Sequence, residues 1–332
     1  MPKFFTLSIE KIVPLVFIVL IGVLLIFILV ITSPAYDYVK TDIITIPKDA
    51  SLKRVAQLLE KGGIIKYPRF FVFMGVLLGK EKNLRMGDYL FSEPQGILEI
   101  LNRLSSGDVL LSRIVIPEGY NVHQISQKLD KLDIVSSDEF LKAAYDKELL
   151  CSLGIECVGV EGFLFPDSYF FDKGLAGKRI IEIMNERFSE VYKKYEIREK
   201  KLGLSRLEVL ILASIVEKES CISDEKPLIA AVFHNRLKKG MKLQSDPTVI
   251  YGLKNFNGDL TKGDLLRDTP YNTYVNKGLP PSPICNPGED SIRAVLYPAD
   301  VDYLYFVSKN DGSHFFSKRL SDHKKAVLKY QK

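Results

Sequence analysis

Between Leu204 and Ser220 the chain reads LSRLEVLILASIVEKES, an apolar run that ends directly in charged residues. A run of this length is stable in water only if a helix buries it, so it constrains the fold more than any other segment. Counting back from Glu219 by three, four, seven and eight reaches Val216, Ile215, Leu212 and Ile211, so Glu219 prolongs the buried stripe of an amphipathic helix. Glu217 stands behind Ala213 and Leu210, on a more mixed flank. Burial favours the neutral form of a carboxyl, and a last-turn position adds the negative end of the helix dipole. Glu219 is therefore expected to hold a proton near neutral pH. The plainer reading is a surface glutamate at a frayed helix end, and the residues downstream weigh against it.

Those residues are rich in hydrogen-bonding and turn-forming side chains: His234-Asn235-Arg236, Leu243 to Thr248, Thr269 to Tyr274, and Gly278 to Pro283. Amides, hydroxyls and tyrosines without a metal-ligand pattern suit a sugar polymer, which offers hydroxyls to bond and apolar ring faces to stack on. Simple turn chemistry is the structural alternative.

The chain then shows a specific resemblance. Glu161-Gly162-Phe163-Leu164-Phe165-Pro166-Asp167-Ser168-Tyr169, Ala213 to Ser220, Asn235-Arg236-Leu237, Leu243 to Gly252, Tyr271-Asn272-Thr273-Tyr274, Gly278-Leu279-Pro280-Pro281 and Tyr303 to Val307 resemble the endolytic murein transglycosylases of the YceG-like family. They stand in the family's order and span most of residues 159–332. The family's catalytic residue is the second glutamate of a Glu-Lys-Glu-Thr segment, which falls on Glu219. Ser220 replaces the threonine and keeps a hydroxyl. His314-Phe315-Phe316 and Ser321-Asp322-His323 resemble the family's ending, with no chemistry assigned to them.

The resemblance implies cleavage of the bond between N-acetylmuramic acid and N-acetylglucosamine inside peptidoglycan glycan strands, leaving 1,6-anhydro ends and so limiting the length of nascent strands. It implies no metal or organic cofactor. One carboxyl serves both steps, first as general acid to the leaving oxygen and then as general base to the attacking C6 hydroxyl. A hydrolytic muramidase would need a second carboxylate about 5 to 9 Å away. Asp246 and Asp167 are the candidates by motif context, each with turn chemistry as its plainer explanation. Substrate contacts are expected from Asn235, Gln244, Asp246, Tyr251, Tyr271 and Asn272, which join polar or aromatic side chains to membership of the motifs. A catalytically silent wall-binding scaffold is the reading from another class.

The amino terminus sets the compartment. No charged residue occurs from Ile12 to Ala35, enough chain to cross about 30 Å of hydrocarbon at about 1.5 Å per residue. A cleavable signal peptide has a shorter apolar core, about 7 to 15 residues, and Ser33-Pro34-Ala35 is a poor cleavage site. An uncleaved membrane anchor is expected, with Lys3, Lys11 and the terminal amine on the cytoplasmic side and the remainder outside. The net charge of +5 over 332 residues is small, and no nucleic-acid motif accompanies it. The four cysteines, Cys151, Cys157, Cys221 and Cys285, lack a paired zinc spacing, and Cys151 with Cys157 reads equally well as a short disulfide loop or as free thiols.

Between anchor and catalytic region the chain repeats itself at an offset of about seventy. Ile46-Pro47, Leu52, Val55, Leu59, Ile64 and Phe70 match Ile116-Pro117, Val122, Ile125, Leu129, Ile134 and Phe140. The expected α+β architecture is a cytoplasmic tail (1–11), a transmembrane helix (12–35), an α/β subdomain (42–110), a second α/β element (111–158) and a catalytic domain (159–332). The resemblance implies that 42–110 is LysM-like. Glu182 to Arg206 should form an amphipathic helix through Ile183, Phe188, Val191 and Tyr195, with a solvated charged face. A contact surface for peptidoglycan synthases is the alternative there.

Overall fold

A computed structural model describes residues 13–14, 16–22, 42–253 and 256–331. The cytoplasmic tail (1–11) and most of the expected anchor (12–35) lie outside these residues; within the anchor, 13–14 and 16–22 are helical. No helix among the described residues is long and apolar enough to cross a membrane.

The chain divides into two compact units, one ending at Ser112 and taking in 172–174, the other comprising 113–171 and 175–332. In the first, β1 (Asp42–Ile46) is followed by α1 (Leu52–Lys61), α2 (Pro68–Leu77), β2 (Gly87–Phe91) and α3 (Ile97–Ser106). β1 and β2 pair antiparallel, with Ile44 opposite Tyr89 and Ile46 opposite Gly87. Ser51 caps α1 by accepting the Arg54 amide, and Leu52, Val55, Ala56 and Leu59 form its buried stripe. That stripe joins Phe71, Met74, Tyr89, Phe91, Ile100, Leu101 and Leu104 in a core of its own.

The second unit opens with the same order of elements: β3 (Ser112–Val115), α4 (Val122–Lys131), α5 (Ser137–Ala144), then β4 (Ser168–Phe171) and α7 (Gly177–Tyr192), with α6 (Lys147–Ser152) inserted before β4. The repeat read from the sequence is therefore real, and it reaches further than the sequence suggested. At an offset of seventy, left-handed Asp49 and Gly63 correspond to left-handed Gly119 and Asp133. The amides of Ile64 and Ile134 bond back to the carbonyls of Leu59 and Leu129.

One match needs correction. At the offset of seventy α5 begins a residue early relative to its counterpart α2, so buried Phe140, Ala143 and Ala144 correspond to buried Phe71, Met74 and Gly75, and Phe70 is only half-buried. Beyond the insertion the offset becomes eighty. Buried Tyr89, Phe91, Ile100, Leu101 and Leu104 match buried Tyr169, Phe171, Ile180, Ile181 and Met184. Each tyrosine hydroxyl donates to the carbonyl four residues earlier, Tyr89 to Arg85 and Tyr169 to Phe165.

The division expected near 154–159 is not found, because residues between 114 and 171 share one core with residues between 180 and 296. Ile114, Ile125, Phe140, Leu150, Ile180, Leu212 and Val295 all belong to a single cluster. The charged stretch 182–206 is not one helix either. α7 ends at Tyr192, a 3-10 turn spans Lys193–Tyr195, and α8 (Glu196–Leu202) buries no residue.

α9 (Arg206–Glu219) lies in the middle of the second unit. Ser205 and Glu208 close a capping box at its start, and every residue from Val209 to Val216 is buried. The helix is thus buried all round rather than amphipathic, since α10 (Lys226–Lys238), α11 (Asp246–Gly252) and, beyond the short α12 (Lys262–Leu266), α13 (Glu289–Leu296) pack against it. The chain ends in an antiparallel hairpin of β5 (Tyr305–Ser308) and β6 (His314–Ser317), with α14 (Leu320–Tyr330) packed on both strands.

Candidate active site

Both glutamates at the end of α9 leave the apolar core, in different company. The Glu217 carboxylate is enclosed, 3.1 Å from Lys226 Nζ, with the Gly288 amide at 3.1 Å and Ser291 Oγ at 2.6 Å donating to it. It ties α9 to α10 and to the start of α13. Glu219, one turn-edge further, points into a cleft of 470 Å³ that is also lined by Arg236, Gln244, Asp246, Tyr274, Phe306, His314 and His323. Burial pushes the Glu219 carboxyl up to about 7, with the Asp246 charge adding to the rise, while a hydrogen bond from Ser245 and the Arg236 charge pull it back. A group poised there can both give and take a proton near neutral pH.

The Ser245 hydroxyl donates to Glu219 Oε1 at 2.5 Å. Its position is set by the loop before α11. Gln244 adopts a left-handed backbone, φ 52°, a conformation that side-chain-bearing residues rarely take and that turns the chain toward α9. The loop is held there by the Ser245 amide donating to Thr273 Oγ1 at 3.0 Å and by Thr248 Oγ1 donating to the Ser245 carbonyl at 2.6 Å. From α10, buried Arg236 donates to the carbonyls of Leu243 at 2.6 Å and Leu304 at 2.7 Å, joining the loop to the carboxy-terminal hairpin. The Tyr274 hydroxyl donates to Asp246 at 2.6 Å.

Of the expected site residues, Glu219, Gln244 and Asp246 come together in this cleft. Asn235 and Asn272 do not. Asn235 Nδ2 donates to the carbonyls of Val301 and Tyr303. Asn272 is fully buried, donating to the carbonyls of Asp264, Leu265 and Arg267 and accepting from the Tyr274 amide. The Nδ2 groups of both asparagines, and Oδ1 of Asn272, satisfy backbone groups that the loops cannot pair for themselves. Asp167 is paired with Arg187 at 2.8 Å and lines no part of the cleft.

Tyr251 and Tyr271 also lie elsewhere, as an edge-to-face pair 4.8 Å apart. The Tyr271 hydroxyl bonds Ser282, and the Tyr251 hydroxyl donates to Glu161 at 3.1 Å. Glu161 is a second enclosed acid, raised to about 8 by burial against the pull of bonds from the Val122 amide, Tyr251 and Asn286. Asn286 Oδ1 in turn accepts the amides of Gly162 and Leu164. Gly162 is required at its position: its φ is 86°, and a Cβ there would stand 2.5 Å from Pro283 Cγ.

Ser245, Arg236, His314 and His323 escaped the sequence reading, although each belongs to a motif block named there. His323 stacks on Tyr305 with centroids 5.2 Å apart, and burial together with the Arg236 charge lowers its basicity, so it faces the cleft as a neutral ring. His314 Nδ1 lies 2.6 Å from Glu225. No group of three or more His, Cys, Asp or Glu able to hold a metal ion occurs among the described residues, and all four cysteines are free thiols.

The YceG-like family model matches residues 44–329, and the chain belongs to that family. It is 33% identical to the endolytic murein transglycosylase of Bacillus subtilis over 86% of this chain and 84% of that one. It is 28% identical to the endolytic murein transglycosylase of Streptococcus pneumoniae strain D39, of which it spans 57%. The crystal structure of a yceG-like protein from Listeria monocytogenes covers 87% of this chain with all of its own, at 33% identity and a TM-score of 0.61.

Proposed function

We propose that this protein is a membrane-anchored endolytic lytic transglycosylase acting on peptidoglycan, with Glu219 as its single acid–base group. The observation that carries the reading is the Glu219 carboxyl raised to about 7 at the wall of an open polar cleft, in a chain whose relatives in Bacillus and Streptococcus are named endolytic murein transglycosylases. Protonated Glu219 gives its proton to the oxygen leaving C1 of N-acetylmuramic acid, and the C1–O bond breaks as positive charge develops on the ring. The C6 hydroxyl of the same residue then attacks C1 and returns its proton to the carboxylate, closing the 1,6-anhydro ring. Acid and base are one group, so no water is consumed. Ser245 remains bonded to the carboxylate oxygen through the ionised interval, when a donor is most valuable.

The charge-free segment 12–35 would hold the catalytic unit outside the cytoplasmic membrane, where nascent strands emerge beside peptidoglycan synthases. The strand–helix–helix–strand order of 42–91 supports a LysM-like, glycan-binding reading of the first unit. Asp246 favours one second reading. A carboxylate in the same cleft would serve a hydrolytic muramidase by activating water.

The test is to incubate the full-length chain in detergent with purified peptidoglycan and identify the new strand ends by mass spectrometry beside Glu219→Gln. Anhydro ends that vanish in the variant are expected. Reducing ends would transfer the assignment to a muramidase using Asp246, and intact strands with a folded wild-type protein would remove the enzymatic reading.

A further inference from the structure

A larger cleft, 810 Å³, lies in the same unit and is not accounted for by the chemistry above. Its wall includes Asn121, His123, Gln124, Gln127, Lys218 and Tyr251. Two pairs of chain neighbours locate it. Lys218 lines this cleft while Glu219 lines the other, and Pro247 lines this one while Asp246 lines the other. The two clefts therefore meet along a short divide formed by the end of α9 and the start of α11, with the Glu219 carboxyl on one side of the crest.

Three polar groups of the larger cleft, Asn121, Gln124 and Lys218, have donors to offer. Asn121 and Gln124 form the capping box of α4, in which Asn121 Oδ1 accepts the Gln124 amide at 2.8 Å and Gln124 Oε1 accepts the Asn121 amide at 3.0 Å. Their oxygens are engaged, so the free ends are amide N–H groups. Lys218 Nζ has only a long bond of 3.4 Å to the Gly119 carbonyl. Such donors select ligands dense in acceptors, namely acetamido carbonyls and carboxylates.

We propose that this cleft binds the continuation of the glycan strand past the scissile bond, holding the N-acetyl groups and the carboxylate-bearing stem of the next saccharides, so that the strand crosses the divide with its cleavable linkage over Glu219. The proposal rests on the transglycosylase reading and adds to it a reason for internal cutting. The Glu219 cleft alone has the capacity of roughly one small-ligand pocket. A strand engaged on both sides of the bond is anchored in its interior rather than by its end.

The test measures binding, which does not depend on turnover. Full-length Glu219→Gln in detergent is titrated with stem-bearing glycan oligomers of two and of four disaccharides, alone and with Gln127→Trp or Lys218→Gln added. Gln127 is exposed on α4 and a tryptophan there fills the cleft without disturbing the cap. The longer oligomer should bind tighter than the shorter, and each added substitution should cancel that gain, about tenfold, while leaving the shorter oligomer unaffected. Equal affinity for the two lengths, or equal weakening of both by the added substitutions, overturns the assignment. Absence of anhydro ends from the wild-type protein, with the length-dependent gain intact, overturns the chemistry and leaves the cleft assigned.

Discussion

Glu161 and Glu219 are both enclosed carboxyls lifted toward or past neutrality, about 8 and about 7, yet their surroundings give them opposite uses. Glu161 is satisfied by fixed groups: the Val122 amide reaches both its oxygens, and Asn286 and Tyr251 complete the set. Nothing is left over for a ligand. Glu219 has one protein donor, Ser245, and its remaining surface meets a cleft. A raised pKa therefore marks burial in both cases and reactivity in only one. What separates a strut from an acid is unspent hydrogen-bonding capacity facing open space.

The largest effect should come from the reactive member. Glu219→Gln is expected to lower the rate of strand cleavage by roughly 10²- to 10⁴-fold with the fold retained, read from product release and circular dichroism together. A residual rate near wild type would place the acid elsewhere.

Glu161→Ala should act on stability instead. It strands the Val122 amide, the Tyr251 hydroxyl and the Asn286 amide group, and a loss of about 3 kcal/mol in denaturant unfolding is expected. Unchanged stability would show that water replaces the carboxyl without penalty.

The pH dependence of stability sharpens the contrast. Both acids have folded values above their ordinary 4.5, so the folded state binds more protons than the unfolded one. Stability is full below about 4.5 and declines as pH rises, through about 7 for Glu219 and about 8 for Glu161. Glu219→Gln should remove the first part of that decline, making the variant more stable than wild type at pH 8 by on the order of 2 kcal/mol. Thermal melts at pH 5 and pH 8 measure this directly, and a variant no more stable than wild type at pH 8 would contradict it.

The smallest effects are shifts of the activity profile. The acid must be protonated in the free enzyme, so kcat/KM should fall as pH rises through about 7. Ser245→Ala removes a bond that lowers the Glu219 value and should move that limb to higher pH. Asp246→Asn removes a charge that raises it and should move the limb to lower pH. Shifts of the same sign would exclude this account of how the cleft tunes its acid.

Much of the site was legible because helical periodicity and motif order are local properties. Glu219 follows from the spacing of Ile211, Leu212, Ile215 and Val216, even though the helix proves buried all round, since any face that ends in this residue has been desolvated along its length. The repeat at seventy was equally visible in the first strand and helix of each copy. It was lost at Phe70 because one residue fewer joins α4 to α5 than joins α1 to α2, and lost again after Tyr145 because the insertion changed the offset to eighty. Asn235 and Asn272 stand outside the Glu219 cleft for a different reason. Polarity within a motif does not reveal whether an amide faces solvent or repairs a loop's backbone, and only the fold brings Val301, Tyr303 and Asp264 to Arg267 against them.

The sequence by itself determined the membership of the family, the helix that must be buried, the acid at its end and the duplicated strand–helix pattern, all of which depend on neighbours within a few turns of chain. Tertiary structure alone decided that Ser245 would be the acid's donor, that Arg236 would tie its loop to the terminal hairpin, and that Glu161 would be spent on structure. Those outcomes join residues tens of positions apart, and their energies arise from desolvation and hydrogen-bond satisfaction, which exist only once the chain has closed around them.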